Sequence, residues 1–210
     1  MAEKPPVAIL FPHQDAEAAA VLGRAFVDDL LIKAILPPIE NDAERARRMG
    51  QMFAIALASQ RRSGQPVVGV LHGGRVGAAA IIEQVAKPPT TASIALHGLA
   101  LVPALAKTGG VGGVRRAVAA FDVLSRNRPP QPHLYLNVLG VDPILQRRHF
   151  GVAVLDWLRD QTALRNDLVG VYLETAMEAN VGYYSHVGYR VTGEIYPLGV
   201  RMWQMLQPRV

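Results

Sequence analysis

The chain has 210 residues, half of them hydrophobic and 19% charged, the composition of a globular domain rather than of a disordered or fibrous chain. It contains no cysteine, which excludes disulfide scaffolds, cysteine-ligated zinc and a thiol nucleophile. Basic residues outnumber acidic ones by 22 to 17, and they include arginine pairs at Arg47-Arg48, Arg61-Arg62, Arg115-Arg116 and Arg147-Arg148. Such pairs read first as solvated surface, with an anionic small molecule or nucleic acid as the partners they would suit.

The N-terminal Met1-Ala2-Glu3-Lys4-Pro5-Pro6 has no apolar run behind a basic start, so no secretory signal is expected and a cytoplasmic location is the default. Asp15 stands as a candidate N-cap for a helix whose Ala18, Ala19, Val21, Leu22, Ala25 and Phe26 fall at helical spacing. Asp28-Asp29 precede a short apolar piece, Leu30 to Leu36, that stops before Pro37-Pro38. A second helix is predicted from about Asp42 to Arg62, with Met49, Met52, Phe53, Ala56 and Leu57 as its apolar stripe. Then the period changes: Pro66 to His72 and Arg75 to Ile82 flank Gly73-Gly74, a pair suited to a tight hairpin turn.

From Pro88 to Ala106 the chain is uncharged, but Pro88, Pro89, Thr90, Thr91, Ser93, His97 and Pro103 interrupt it, so it reads as a core element and not as a membrane span. Ile94 to Arg128 reads as mainly helical, broken at Gly109-Gly110-Val111-Gly112-Gly113. Lys107-Thr108 lie beside that run without completing the GxxxxGKS/T order of a phosphate loop, so a helix–helix connection is expected. Beyond Pro129-Pro130, Leu134 to Val141 is a strand and Asp142-Pro143 a turn. Phe150 to Arg165 is a helix with Val154, Leu155 and Leu158 inward, and Leu168 to Glu174 is a buried strand. Ala176 to Gly188 is a short helix, and Tyr189 to Ile195 with Val200 to Leu206 form a closing hairpin. That alternation calls for an α/β layer with at least one parallel pair.

Chemistry concentrates where the strand ending at Val141 passes through Arg147-Arg148 to a helix starting near Gly151. First-turn amides lack internal partners and carry the positive end of the helix dipole. Two guanidiniums beside them suit a diphosphate; the alternative is a plain connection with both arginines in water. No GxSxG elbow, HExxH or other metal-ligand spacing is present, so neither a serine hydrolase nor a metal centre is expected.

Gly140-Val141-Asp142-Pro143, Arg147-Arg148 and Gly151-Val152-Ala153 resemble motif A of the GNAT superfamily of acetyl-CoA-dependent N-acetyltransferases. Leu173-Glu174-Thr175, Asn180, Tyr183-Tyr184 and Val187-Gly188-Tyr189 resemble its motif B, LETxxxxN…FYxxxGF. The likeness is strong over Leu134 to Leu206, architectural before that, and nearest to the puromycin N-acetyltransferase-like bacterial branch. It implies an α/β (α+β) fold: a mixed, mostly antiparallel sheet of about six to seven strands with a splayed parallel pair, flanked by helices. It also implies a single domain over residues 1–210, with a helical insertion at about 94–128.

The implied activity is transfer of acetyl from acetyl-CoA, as co-substrate and without a metal, directly to a primary amine of a small molecule. Membrane and nucleic-acid partners are not expected; a homodimer through the closing hairpin is compatible. By the same resemblance Leu139, Gly140 and Val141 hold the pantetheine arm, and the Leu139 amide serves the oxyanion. Gln146, Arg147, Arg148, His149, Phe150, Gly151, Val152 and Ala153 grip the diphosphate. Asn180 contacts the cofactor, and Tyr184 protonates the departing thiolate. Candidates for the general base are Glu174, His133, Asp28 and Asp29; His97 and Asn137 are weaker candidates for the acceptor pocket. Counted without gaps from Gly140-Val141, His149 stands where the family has its first glycine, which admits the diphosphate closely. Sliding the frame by two places Gly151 there but breaks the spacing from the strand. The substitution leaves an alternative, a non-catalytic acyl-CoA-binding protein with a degenerate loop. The apolar character of the insertion predicts an amine with a substantial hydrophobic part.

Overall fold

Alternation builds the sheet. In β2 (Val67–His72) and β3 (Arg75–Val85), Val67, Val76, Ala79 and Ile81 go to one core, while Val68, Val70, Ala78, Ala80 and Ile82 go to the other. Gly73 and Gly74, at φ 58° and 78°, make the two-residue turn between them, a conformation that costs glycine little. The computed structural model describes residues 4–39, 41–86 and 91–210, with the backbone alone at 91–105, 107 and 108.

With β1 (Val7–Ile9), β4 (His133–Val141), β5 (Gly170–Thr175), β6 (Arg190–Ile195) and β7 (Met202–Pro208), the sheet runs β1-β2-β3-β4-β5-β7-β6. Every pairing is antiparallel except β4 with β5. That parallel pair is brief: Leu134 faces Val171, Tyr135 faces Tyr172, and the pairing ends there. Beyond it β4 stays with β3 and β5 stays with β7. The opposition of Ile81 to Val138 and of Ile82 to Leu136 leaves Asn137 as an extra residue in β4, a bulge. A bulge bends and twists its strand, and the two strands part into a fork open at their C-terminal ends.

One face of the sheet carries α1 (Asp15–Ala25), α2 (Leu30–Ile35), α3 (Asp42–Arg62) and α4 (Thr91–Arg126); the other carries α5 (Phe150–Ala163). Val154, Leu155 and Leu158 of α5 are fully buried, as their spacing requires; each such side chain stabilises by about 1.5–3 kcal/mol. The α6 helix (Glu178–His186) follows β5. Asp29 caps α2 by accepting from the Ile32 amide at 2.8 Å, and Asn41 caps α3 by accepting from Glu44 at 3.0 Å.

Two local expectations change. Asp15 is not an N-cap: Pro12–Gln14 form a 3-10 turn before it, and Asp15, the first residue of α1, holds Arg61 bidentately at 2.6 and 2.7 Å. Arg61 also donates to the Leu10 carbonyl, so one guanidinium joins α3 to the start of α1. The glycine-rich run, as expected, joins two helical stretches, across a kink at Gly110 with φ 61°. The edge strand β1 was not anticipated. Pro88-Pro89 and the side chains expected to enter the core from Thr91 to Pro103, His97 among them, lie outside the described residues. Among the described residues no helix is long and apolar enough to cross a membrane.

Candidate active site

The fork opens beside the start of α5. Asp142, buried, fixes the intervening loop: its amide donates to the Gly77 carbonyl at 2.9 Å, and its carboxylate accepts from the Ile144 amide and pairs with Arg24 of α1. Phe150, also buried, anchors the other end, with the His72 ring edge-on at 5.9 Å. Between these anchors Gln146, Arg147, Arg148 and His149 are all exposed. Arg147 and His149 both adopt the left-handed conformation, at φ 63° and 62°. That conformation costs a non-glycine residue about 1–2 kcal/mol, and the buried anchors hold it.

His149 contributes no side-chain cap, and no acidic residue occupies the first turn of α5. The first bond into the helix runs from the Ala153 amide to the His149 carbonyl at 2.9 Å, so the amides of Phe150, Gly151 and Val152 point out of its end. Ala153, expected to contribute an amide, uses it inside the helix. Gly151 is explained by α6, because a Cβ there would stand 2.7 Å from the Tyr183 hydroxyl. Gly140 is buried with α1 packed close over it; Leu139 and Val141 are half-buried and pack toward the α5 side.

Tyr183, Tyr184 and Tyr189 pack in series with their rings tilted to one another, centroids 5.4 and 5.6 Å apart. Burial, reinforced by Tyr183, raises the Tyr184 phenol above its ordinary value, which keeps its proton in place at neutral pH. Asn180 lies at the start of α6, with its side-chain amide 3.4 Å from the Thr175 hydroxyl at the end of β5.

The opposite face of the fork carries a buried polar cluster. Burial pushes the Glu174 carboxyl up to about 7, opposed by the Arg128 guanidinium and by the Tyr135 and Tyr172 hydroxyls. Arg128 lies 3.8 Å over the Tyr135 ring and 3.3 Å from Glu83. Asn137, on the bulge, donates to Glu83 at 2.8 Å. His133 is fully buried; its Nδ1 meets the Gln131 carbonyl at 2.8 Å, its ring is edge-on to Tyr172, and burial lowers its pKa. The other base candidates lie elsewhere: Asp28 is bonded to Lys33, which lowers its pKa, and Asp29 is engaged as a cap. Sequence reasoning missed Glu83, Tyr135, Tyr172 and Arg128, whose partners are brought together only by the sheet. Among the described residues no three His, Asp or Glu are grouped to hold a metal.

No protein-family model matches the sequence. The structure is similar to that of a protein from Corynebacterium glutamicum described as histone acetyltransferase HPA2 and related acetyltransferase, with a TM-score of 0.71 and 17% identity over 99% of this chain and 98% of that one. It is also similar to agmatine N-acetyltransferase, with a TM-score of 0.61 and 17% identity over 95% and 97% of the two chains. A further likeness is to the ribosomal-protein-S18-alanine N-acetyltransferase of Escherichia coli, with a TM-score of 0.53 and 15% identity over 96% and 92%. This chain has the GNAT fold. Within the GNAT fold, the motif A residues lie in the loop from β4 to α5 and the motif B residues on β5 and α6, so the fork separates them. The position matched to the family's first glycine, His149, has the left-handed backbone that glycine favours.

Proposed function

We propose that this protein is a GNAT-type N-acetyltransferase that moves the acetyl group of acetyl-CoA directly to a primary amine of a small molecule, with residues 1–210 acting as one unit. The observation that carries the reading is the fork itself, which has the free amides of α5 with Arg147 and Arg148 on one side and Glu174 on the other. Exposed guanidiniums beside unpartnered helix amides suit a diphosphate. The thioester, once bound, supplies an activated acetyl group with a thiolate as leaving group. The residues of the chain then do three things. Glu174 takes the proton of the attacking amine, a task suited to a carboxyl poised near 7. The backbone amide of Leu139, past the bulge, meets the negative charge developing on the carbonyl oxygen. Tyr184 gives its proton to the sulfur.

Agmatine N-acetyltransferase shares the fold, and the mainly apolar groove lined by Leu30, Met177, Val200 and Trp203, with Glu178 and Arg201, beside the end of β5 suits an amine with a hydrophobic body. The edge strand β6 is where a second copy would pair.

The test is thiol release from acetyl-CoA against a panel of primary amines. The chain has no cysteine to contribute background. Amine-dependent release is expected, and Tyr184→Phe lowers kcat by roughly 10- to 100-fold while calorimetry shows acetyl-CoA affinity unchanged. Binding without turnover on any amine overturns catalysis in favour of acyl-CoA binding alone. No binding overturns both.

A further inference from the structure

We propose that Arg128 is a positioning residue for Glu174: laid across Tyr135 and paired with Glu83, it holds a positive charge against the fork and makes Glu174 able to serve as a base. The inference rests on the role given to Glu174 above and deepens it. Arg128 lies just past the end of α4, far in sequence from both groups it serves, yet only 14% of its side chain is exposed. Its Nη1 is 3.3 Å from Glu83 and its guanidinium carbon 3.8 Å from the centre of the Tyr135 ring.

The preceding residue is fastened in turn. Gln204 of β7, which faces Glu174 directly across the ladder, donates one hydrogen bond to the Asn127 carbonyl at 2.6 Å and one to the Tyr172 hydroxyl at 2.7 Å. The arginine is therefore held from the strand that pairs with the glutamate. Arg128 Nε and Glu174 Oε1 are both buried without a hydrogen-bond partner among the described residues. A donor and an acceptor of opposite charge are thus kept in one dry cluster without being locked to each other.

The groups facing Glu174 are Glu83 from β3, Arg128 from the segment after α4, Tyr135 from β4, Tyr172 from its own strand, and Gln204 from β7, with His133 of β4 behind them beside Arg128 and Glu83. One cation serves two carboxylates. Burial favours the protonated form of Glu174, the guanidinium favours the ionised form, and Glu83 opposes ionisation. A protonated Glu174 cannot take a proton from an amine. Arg128 therefore acts through Glu174 without touching either reactant.

The deciding experiment follows the carboxyl carbon of Glu174 by NMR against pH, in protein labelled at glutamate, beside the pH dependence of kcat/KM. Arg128→Met moves the midpoint upward by about one pH unit or more, the size expected for loss of a neighbouring opposite charge. Glu83→Gln moves it downward, and Arg128→Lys, which keeps the charge, restores most of the native position. Disturbed packing would not move the two variants in opposite directions. An unchanged midpoint in Arg128→Met, or equal shifts of one sign in both variants, overturns the inference. If Arg128→Met does not fold, the direction of the Glu83→Gln shift decides. Carboxyl shifts in the expected directions that the rate profile does not follow leave the coupling intact and overturn Glu174 as the base instead.

Discussion

The two faces of the β4–β5 fork solve opposite electrostatic problems. On the α5 side, charge is met by the exposed guanidiniums of Arg147 and Arg148, beside the outward-pointing amides of Phe150, Gly151 and Val152, where an anion keeps much of its hydration. On the other side, Glu174, Tyr135, Tyr172 and Arg128 are withdrawn from water, so small displacements of charge are expensive and ionisation becomes tunable. In the proposed function the exposed face grips the cofactor and the buried face moves the proton. Charge in the first is sensitive to salt; charge in the second is sensitive to its neighbours.

The largest effect expected from breaking this contrast comes from the buried face. Glu174→Gln lowers kcat/KM for the amine by roughly 100-fold or more while leaving acetyl-CoA affinity unchanged in calorimetry. The same variant reads out stability. An acid whose folded value lies near 7, above its usual 4.5, opposes folding wherever it is ionised. Its burden is present above pH 7 and is relieved as pH falls toward 4.5. Urea unfolding should therefore find Glu174→Gln more stable than the parent at pH 8, with the gap closing at pH 5.

A middle-sized effect belongs to the exposed face. Arg147→Ala with Arg148→Ala weakens acetyl-CoA binding by roughly tenfold, and most of that difference vanishes in 1 M salt. A loss that survives high salt would mean the arginines act by shape rather than charge. Smallest is His149→Gly, which relieves a left-handed non-glycine residue. It should raise unfolding free energy by about 1 kcal/mol and tighten acetyl-CoA binding a few-fold at most. Weaker binding would show that the imidazole itself contributes to the grip.

Much of the exposed face was legible in the sequence because its determinants are contiguous. A strand, a proline turn, two arginines and an amphipathic helix fall within Leu134 to Arg165, and the spacing from the strand placed the family's glycine on His149, where the backbone turns left-handed. The α3 helix could be bounded at Asp42 and Arg62 because Asn41 caps it locally. The buried face was legible only in Glu174. Arg128 and Glu83 are 45 residues apart, and nothing in either local pattern distinguishes them from solvated charges. Asp15 misled for the same reason: its local setting suits a cap, but a guanidinium 46 residues away claims it. The β1 strand, three residues before a proline, is too short for alternation to reveal; pairing with β2 makes it a strand.

The brevity of the β4–β5 pairing also governs how the molecule comes apart. Two residue pairs are the whole ladder between β1 to β4 on one side and β5 to β7 on the other. Hydrogen exchange should therefore find β5 to β7 opening as a cooperative unit of its own, ahead of global unfolding. An occupant lodged between the strands would bridge both units and slow that opening, so the short seam and the proposed way in for a ligand are the same few residues.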